Sequence, residues 1–385
     1  MNHPFNLQDE LGSIQASNLY RHRQILDSPQ GLEIESAGKR YLNFSSNDYL
    51  GLANHPILVE AFRAAVERYG VGSGSAHLVC GHSTAHHALE EELADWVGRE
   101  RALLFSTGYM ANLGVISALL SKTDAVFEDR LNHASLLDGG LLSGARFQRF
   151  YHADCNDLQR RLDQSTAHRK LIVTDGVFSM DGDLAPLQAL STCAQQTNGW
   201  LMVDDAHGIG VLGVKGQGSL QVAGLNQSQA PVLMGTLGKA LGTFGAFIAG
   251  SEELIEFLIQ RARTYVYTTA MPAAVAEATR TSVRLVQADD WRRQKLVDLV
   301  LRFQHGLAQL GIQPVASTTP IQPILLGDSQ RAMQISDGLK QRGFWVTAIR
   351  PPTVAKGTAR LRVTFSASHQ DTHVDRLLDA LDQLL

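Results

Sequence analysis

Short hydrophobic runs alternate with longer amphipathic stretches through the middle of the chain. Between residues 100 and 250 these runs are ALLFST, AVFED, RFQRFYH, KLIVTDG, WLMVDDAH, PVLMGTLG and GAFIAG. Stretches with helical periodicity, such as APLQALSTCAQQTNG, lie between most of them. This alternation is typical of βαβ units, in which helices cover both faces of a mostly parallel sheet. The pattern predicts an α/β domain.

The two ends of the chain follow other patterns. The N-terminal stretch LEIESAGKRYLNFSS predicts two short strands joined at an AGK turn, and HPILVEAFRAAVERYG predicts a helix that begins at Pro56 and ends at Gly70. The C-terminal patterns predict a helix over 289–311, strand IQPILLG, a helix over 329–342, strands FWVTAI and ARLRVTFS, and a helix over 370–385. We therefore expect an N-terminal arm and hairpin in 1–50, a large domain in 51–285 and a smaller α+β domain in 286–385.

Composition narrows the class of protein. Hydrophobic residues make up 44% of the 385 positions, charged residues make up 19%, and the formal net charge is −4. This balance is typical of soluble globular proteins rather than disordered ones, and it gives no reason to expect a nucleic-acid or membrane partner. The three cysteines form no CxxC pair, and the N-terminus lacks a basic segment followed by an apolar one. Both features predict a cytoplasmic protein with free thiols.

Three glycine- or histidine-rich segments resemble known sites without matching them. MGTLGKALG lacks the first glycine and the Ser or Thr of a phosphate-binding P-loop. GIGVLG fits the dinucleotide pattern GxGxxG, but no acidic residue occurs between 206 and 251. The histidines of HLVCGHSTAHH lack the second pair of ligands that zinc sites have, so we expect no metal site.

Polar residues follow two of the predicted parallel strands. Asp204 and His207 lie in the second half of the run WLMVDDAHG, Thr236 ends the run PVLMGT, and Lys239 follows that run three residues later. Between Lys215 and Glu252, Lys239 is the only charged residue. Because ligands bind beyond the carboxyl ends of such strands, we expect these groups to lie close together. Gly108 and Tyr109 begin a helix after another strand, and a helix N-terminus there suits a phosphate.

These groups together suit one cofactor, pyridoxal 5′-phosphate. A lysine in a desolvated, glycine-lined loop loses part of its proton affinity and can form a Schiff base with an aldehyde. A buried carboxylate such as Asp204 keeps a pyridine nitrogen protonated, so that the ring accepts electrons. His207 can bind the ring oxygen, while Gly108 and Thr236 can bind the phosphate. Each residue alone has an ordinary structural explanation, but the combination favours the cofactor.

The chain resembles the α-oxoamine synthases, a family of fold-type I pyridoxal-phosphate enzymes. The resemblance covers nearly the whole chain and is carried by YLNFSSNDYLGL, GSGSAHLVCG, ALEEELADW, NHASLLDG, VFSMDGDLAPL, VDDAHGIGVLG, GTLGKALG and GTARLRVTFSASH. It implies a large domain with a mostly parallel seven-stranded sheet and a smaller C-terminal α+β domain. It also implies a homodimer with the active site at the interface. Two positions depart from the family pattern, Leu237 where Phe is common and Asp175 where Glu is common.

The resemblance also implies roles for individual residues. Lys239 would bind the cofactor covalently and Asp204 would pair with its ring nitrogen. The other implied cofactor contacts are His207 and Ser179 near the ring hydroxyl, His133 on the ring face, Gly108, Tyr109 and Thr236 at the phosphate, and Thr268 or Thr269 from the neighbouring subunit. The implied substrate contacts are Arg362 and His133 for the amino acid, Arg21 and Thr353 for the acyl chain, and Asn47 as a further substrate residue.

Members of the family condense an amino acid with an acyl thioester and release carbon dioxide. Arg21 and the segment FWVTAIRPPTV most resemble members that join L-alanine to pimeloyl-CoA or a pimeloyl carrier protein, which gives 8-amino-7-oxononanoate for biotin synthesis. The nearest alternative is a sister synthase that uses glycine and another acyl-CoA, such as 2-amino-3-ketobutyrate CoA ligase. An NAD-dependent oxidoreductase built on GIGVLG and a non-catalytic cofactor-binding protein are the alternatives from other classes.

Overall fold

The computed structural model describes residues 6–17 and 19–385. The strands are β1 (Glu33–Ser36), β2 (Lys39–Asn43), β3 (Arg101–Phe105), β4 (Ala125–Asp129), β5 (Arg146–Phe150), β6 (Lys170–Asp175), β7 (Trp200–Asp204), β8 (Val232–Thr236), β9 (Ala246–Gly250), β10 (Ile321–Gly327), β11 (Phe344–Trp345), β12 (Thr347–Ile349) and β13 (Ala359–Thr364). The α-helices are α1 (Leu7–Ala16), α2 (Pro56–Tyr69), α3 (Thr84–Trp96), α4 (Gly108–Leu119), α5 (Ala134–Leu142), α6 (Cys155–Asp163), α7 (Leu187–Gln196), α8 (Ser219–Val222), α9 (Glu252–Arg261), α10 (Arg263–Val266), α11 (Ala273–Ala288), α12 (Asp290–Gln309), α13 (Ser329–Gln341) and α14 (Asp371–Asp382). A π-helical turn, His77–Gly81, and a 3₁₀ turn, Val214–Gly216, complete the list.

A seven-stranded sheet organises the larger of two compact units, which contains residues 48–179 and 183–294. Its strand order is β3-β9-β8-β7-β6-β4-β5, and only β9 is antiparallel to its neighbours. The strands β4, β8 and β9 are buried along their whole length, because apolar clusters pack on both faces of the sheet. The predicted α/β class and mostly parallel seven-stranded sheet are confirmed.

The smaller unit contains the described residues up to Asn47 together with 180–182 and 295–385. It has two three-stranded sheets, β1-β2-β11 and β10-β13-β12. The single strand predicted for FWVTAI is wrong, because β11 pairs with β2 whereas β12 pairs with β13. Phe344 and Val346 are both buried, so the apolar pattern continues while the hydrogen-bond partner changes. The N-terminal hairpin thus belongs with C-terminal elements, and the predicted domain bounds stay a prediction.

Helix positions agree with the sequence pattern to within a few residues. The helix predicted over 289–311 spans Asp290–Gln309, and the last helix spans Asp371–Asp382. The helix α2 begins at Pro56 and ends before Gly70, whose φ of 75° is a left-handed conformation that glycine adopts without strain. Among the described residues, no helix is long and apolar enough to cross a bilayer.

Candidate active site

Lys239 lies in the loop that follows β8, where its amine contacts a buried histidine. The Lys239 Nζ atom is 2.8 Å from His207 Nε2, and His207 Nδ1 is 2.5 Å from the Tyr49 hydroxyl oxygen. Tyr49 is fully buried and His207 is 6% exposed. The imidazole therefore connects the lysine amine to a phenol and fixes its position. Tyr49 is a residue that sequence reasoning missed, although it lies within the quoted motif NDYLGL.

Asp204 ends the neighbouring strand β7, and hydrogen bonds hold both of its oxygens. The Asp204 Oδ2 atom accepts from Asn112 Nδ2 at 2.7 Å, and Oδ1 accepts from the Ala206 N–H at 3.0 Å. Asn112, on α4, is fully buried and also donates to the Ser135 hydroxyl at 2.9 Å. Asn112 was not predicted, because a single asparagine on an apolar helix gives no signal until the helix is packed against the sheet.

A second buried carboxyl, that of Asp175, lies beside Asp204. The two residues are register partners on the parallel strands β6 and β7. Burial raises the pKa of Asp175 well above its usual range, and the nearby charge of Asp204 adds to this effect. The Asp175 Oδ2 atom accepts a hydrogen bond from the His133 backbone N–H at 2.7 Å. The Asp175 carboxyl group therefore fixes the backbone of His133, the residue that the resemblance places on the face of the cofactor ring.

His133 caps the N-terminus of α5 with its side chain. Its Nδ1 atom accepts a hydrogen bond from the Ser135 N–H at 3.2 Å, which assigns the ring proton to Nε2. Burial is the main reason that the pKa of His133 is lowered from its ordinary value, so the ring is neutral at neutral pH. His133 therefore offers an Nε2–H donor whose orientation is fixed by the cap.

The first turn of α4 and the loop after β8 have the features of an anion site. Gly108 and Tyr109 begin this 12-residue helix, whose first N–H groups have no acceptor within the helix. The Thr236 hydroxyl donates to the Gly245 carbonyl at 3.2 Å, and it accepts from the Gly238 N–H at 3.4 Å. Thr236 thus also fixes the loop that carries Lys239.

Three other predicted residues of the larger unit lie in loops. Ser179 follows β6 and is half-buried. Thr268 and Thr269 lie between α10 and α11, where Thr269 is exposed and forms an isolated bridge with Ala76. Tyr109 is 42% exposed, and its hydroxyl donates to Asp138. The roles predicted for these residues stay predictions.

The predicted substrate residues lie in the smaller unit, in two pairs. Arg362, on β13, is 7% exposed and directs both terminal nitrogens at the Asn47 side-chain oxygen, at 3.2 Å each. Arg21 donates to the Thr353 hydroxyl at 3.3 Å, and both line a cavity of about 390 Å³ with Arg350. The fold thus brings together the members of each pair from opposite ends of the chain.

Residues 39–381 match the family described as aminotransferase class I and II. The chain belongs to this family. The transferase fold is shared with the serine palmitoyltransferase of Sphingomonas wittichii, at a TM-score of 0.93 and 31% identity over 99% of this chain and 96% of that one. The structure of 8-amino-7-oxononanoate synthase from Francisella tularensis aligns at a TM-score of 0.78 and 30% identity, over 89% of this chain and 97% of that one.

Sequence relatives within the aminotransferase family are more similar still. The 8-amino-7-oxononanoate synthase of Nitrosococcus oceani is 61% identical over 98% of this chain and 100% of the relative. That of Methylococcus capsulatus is also 61% identical, over 98% of this chain and 97% of the relative. The resemblance to α-oxoamine synthases is therefore confirmed. The dinucleotide hypothesis for GIGVLG has no structural support, because residues 208–213 form turns rather than the start of a helix.

Proposed function

We propose that this chain is a pyridoxal-phosphate-dependent acyltransferase. It condenses L-alanine with a pimeloyl thioester to give 8-amino-7-oxononanoate, carbon dioxide and the free thiol, an early step of biotin synthesis. The observation that carries the proposal is the Lys239 amine, bound to His207 beyond one strand while Asp204 ends the next strand. The relatives that are 61% identical over almost their whole length carry the name of this activity.

The residues of the larger unit fit the cofactor. Pyridoxal phosphate supplies an aldehyde carbon that reacts with amines and a protonated ring that takes up electrons. Asp204 has a carboxylate whose two oxygens are held by Asn112 and the Ala206 N–H, which suits a pairing with the ring nitrogen. Gly108 suits the phosphate because it begins the 12-residue helix α4, whose N-terminus attracts anions.

Lys239 acts as the base in this proposal. Its Nζ atom would take the proton from the Cα atom of the bound alanine. The His207 Nε2 atom positions this amine in the structure, and the same nitrogen would be the contact for the cofactor ring oxygen, because Tyr49 engages Nδ1. The His133 Nε2–H group donates to the ketone oxygen of the condensed acid while carbon dioxide leaves, since a fixed donor stabilises the negative charge that develops there.

Two arginines of the smaller unit bind carboxylates in this proposal. Arg362 receives the α-carboxylate of alanine, because a guanidinium group forms two parallel hydrogen bonds with a carboxylate. Asn47 orients that guanidinium through the contacts given above. Arg21 and Thr353 bind the acyl chain, whose far end also carries a carboxylate in pimeloyl thioesters. The chain acts as a homodimer in which Thr268 or Thr269 serves the phosphate of the partner's site.

Product identification tests the proposal directly. Purified holoenzyme is incubated with L-alanine or glycine and with pimeloyl-CoA, pimeloyl carrier protein or acetyl-CoA, and the products are identified by mass spectrometry. We expect 8-amino-7-oxononanoate from alanine and a pimeloyl donor, and no product from Lys239→Ala. A glycine product with acetyl-CoA as the dominant reaction would establish the sister synthase instead. The ratio of rates with the two pimeloyl donors identifies the acyl carrier.

A further inference from the structure

Four histidines and a glutamate surround the junction between the π-helical turn His77–Gly81 and α3. His77 and His82 flank the turn, and the helix contributes the other three groups, His86, His87 and Glu90. The rings of His77 and His82 are 5.2 Å apart between centroids, and those of His82 and His87 are 5.9 Å apart. The mechanism proposed above uses none of these residues.

His86 is committed to the fold and is not a ligand. Its Nδ1 atom accepts a hydrogen bond from the Ser83 N–H at 3.0 Å, as part of the cap of α3. Its Nε2 atom is 2.6 Å from the Met271 carbonyl oxygen, to which it donates. Both nitrogens are therefore engaged, and a metal ion at either one would have to break a buried hydrogen bond.

The other three groups, the side chains of His82, His87 and Glu90, lie close to one another. One ligand atom from each of His82, His87 and Glu90 lies within 4.8 Å of the others. The His82 Nε2 atom is 3.9 Å from Glu90 Oε2. His87 and Glu90 are three residues apart on α3, which places them on the same helix face. His82 and His87 are exposed, so an ion from solvent can reach them.

Neighbouring residues orient two of these groups. The His82 Nδ1 atom is 2.9 Å from His77 Nδ1, so His77 can accept the His82 Nδ1–H and leave a lone pair on Nε2. The His77 ring is itself held by stacking on Tyr265, at 5.0 Å and 14°. The Glu90 Oε1 atom accepts from the Leu104 N–H at 3.0 Å, which directs Oε2 at His82. Metal-binding imidazoles and carboxylates in proteins are held by such outer contacts.

We propose that His82, His87 and Glu90 bind a divalent transition metal such as Zn²⁺. Two imidazole nitrogens and one carboxylate oxygen form a ligand set that zinc prefers, and solvent can provide the fourth ligand. The ion would connect the turn at residues 77–82 to α3. The sequence alone predicts no metal site here, because the spacing of these histidines lacks the second pair of ligands that zinc sites have. The third ligand, His82, lies between the π-helical turn and α3, and the fold places its side chain beside this helix.

Zinc binding to the holoenzyme without an affinity tag tests this site. Equilibrium dialysis against ZnCl₂ is measured for the wild type, His82→Ala, His87→Ala and the control His168→Ala, which removes an exposed histidine elsewhere. We expect one tightly bound zinc per chain in the wild type and the control. The His82 and His87 variants should bind this ion at least about tenfold more weakly.

His87→Ala keeps the test informative, because the His87 side chain is 66% exposed and we therefore expect the variant to fold. Zinc should raise the melting temperature of the wild type but not that of His87→Ala. His77→Phe retains the ring that stacks on Tyr265 but removes the outer contact, and should weaken zinc binding about tenfold. Equal zinc affinity in the wild type, His82→Ala and His87→Ala would overturn the proposal, as would no stoichiometric zinc in the wild type.

Discussion

At the scale of single residues, the reactive groups depend on buried partners. Tyr49 is fully buried, and its hydroxyl contacts the imidazole of His207, which in turn contacts Lys239. A histidine with a fixed hydrogen bond on one nitrogen has a defined tautomer at the other. Tyr49 therefore acts on the position of Lys239 through the imidazole of His207, which lies between the two residues in this series of contacts.

Replacing Tyr49 by Phe should lower kcat by about tenfold, which is roughly 1.4 kcal/mol and the range of one lost hydrogen bond. The aromatic ring still fills its buried position, so the loss comes from the His207 Nδ1 contact. The measurement is steady-state kinetics with alanine and a pimeloyl thioester. Tyr69→Phe is the matched control, because it removes an exposed hydroxyl that bonds Thr84. An unchanged kcat in Tyr49→Phe would show that His207 needs no such support.

Asp175 should make the stability of the cofactor-free protein depend on pH. Its pKa is raised above the ordinary 3.8, by burial first and by Asp204 second, while Lys239 opposes the shift. The folded state therefore holds more protons than the unfolded state above pH 3.8, and this group makes folding less favourable as the pH rises. Replacing Asp175 by Asn removes the titratable group and retains a side-chain oxygen that can accept the hydrogen bond from the His133 backbone N–H.

We expect Asp175→Asn to gain stability relative to the wild type as the pH rises from about 5 to about 8. Urea unfolding at both values measures the difference in the free energy of unfolding. Asp379→Asn, at an exposed position, is the control and should show a smaller pH-dependent difference. If the wild type and Asp175→Asn differed by the same free energy at both values, Asp175 would not titrate as the structure implies.

At the scale of elements, the start of α5 combines structure and chemistry. His133 is the N-cap residue of this helix through Nδ1, while its Nε2–H group is the proposed donor to the reacting ketone. Asparagine is a good N-cap residue and alanine is a poor one. The two functions of His133 can therefore be separated by substitution.

His133→Ala should lower the free energy of unfolding by about 1 kcal/mol, whereas His133→Asn should keep most of it. Both variants should lose at least about 100-fold in kcat, because neither has the imidazole donor. Chemical unfolding and steady-state kinetics measure the two effects separately. Near wild-type activity in His133→Asn would mean that His133 acts only as a cap.

At the scale of the whole molecule, the proposed homodimer assigns a function to the segment between α10 and α11. Tyr267 is 72% exposed, and it precedes Thr268 and Thr269, which are proposed to serve the partner's phosphate. We expect sedimentation to give twice the chain mass of 42.0 kDa.

Hybrid dimers test the exchange of these threonines. Chains with Lys239→Ala are co-expressed with chains carrying Thr268→Ala and Thr269→Ala, and the hybrid is isolated with two different tags. One site of the hybrid then has both the lysine and the partner's threonines intact. We expect that site to regain wild-type cofactor affinity and activity. If the threonines serve their own chain, both hybrid sites remain defective and no activity returns.

The sequence by itself determined most of the fold and the chemical identity of the site. Local periodicity places the seven sheet strands, since buried parallel strands and their crossover helices leave distinct apolar patterns. The chemistry of Lys239 and Asp204 could be inferred because strand ends in such sheets face one edge. The resemblance to α-oxoamine synthases extended the predicted site to Arg362 and His133. The comparisons confirm the resemblance, and the roles of these two residues stay predictions.

Only the tertiary structure decided which groups support the reactive ones. Tyr49, Asn112 and the Asp175–Asp204 pair come from distant segments, and hydrogen bonds between such segments leave no periodic signal in a sequence. The division of FWVTAI between two sheets was also hidden, because the six residues are contiguous and mostly apolar, and nothing in their pattern marks the point where the pairing partner changes. Residue patterns report burial and local geometry, whereas partners in space depend on how the whole chain packs.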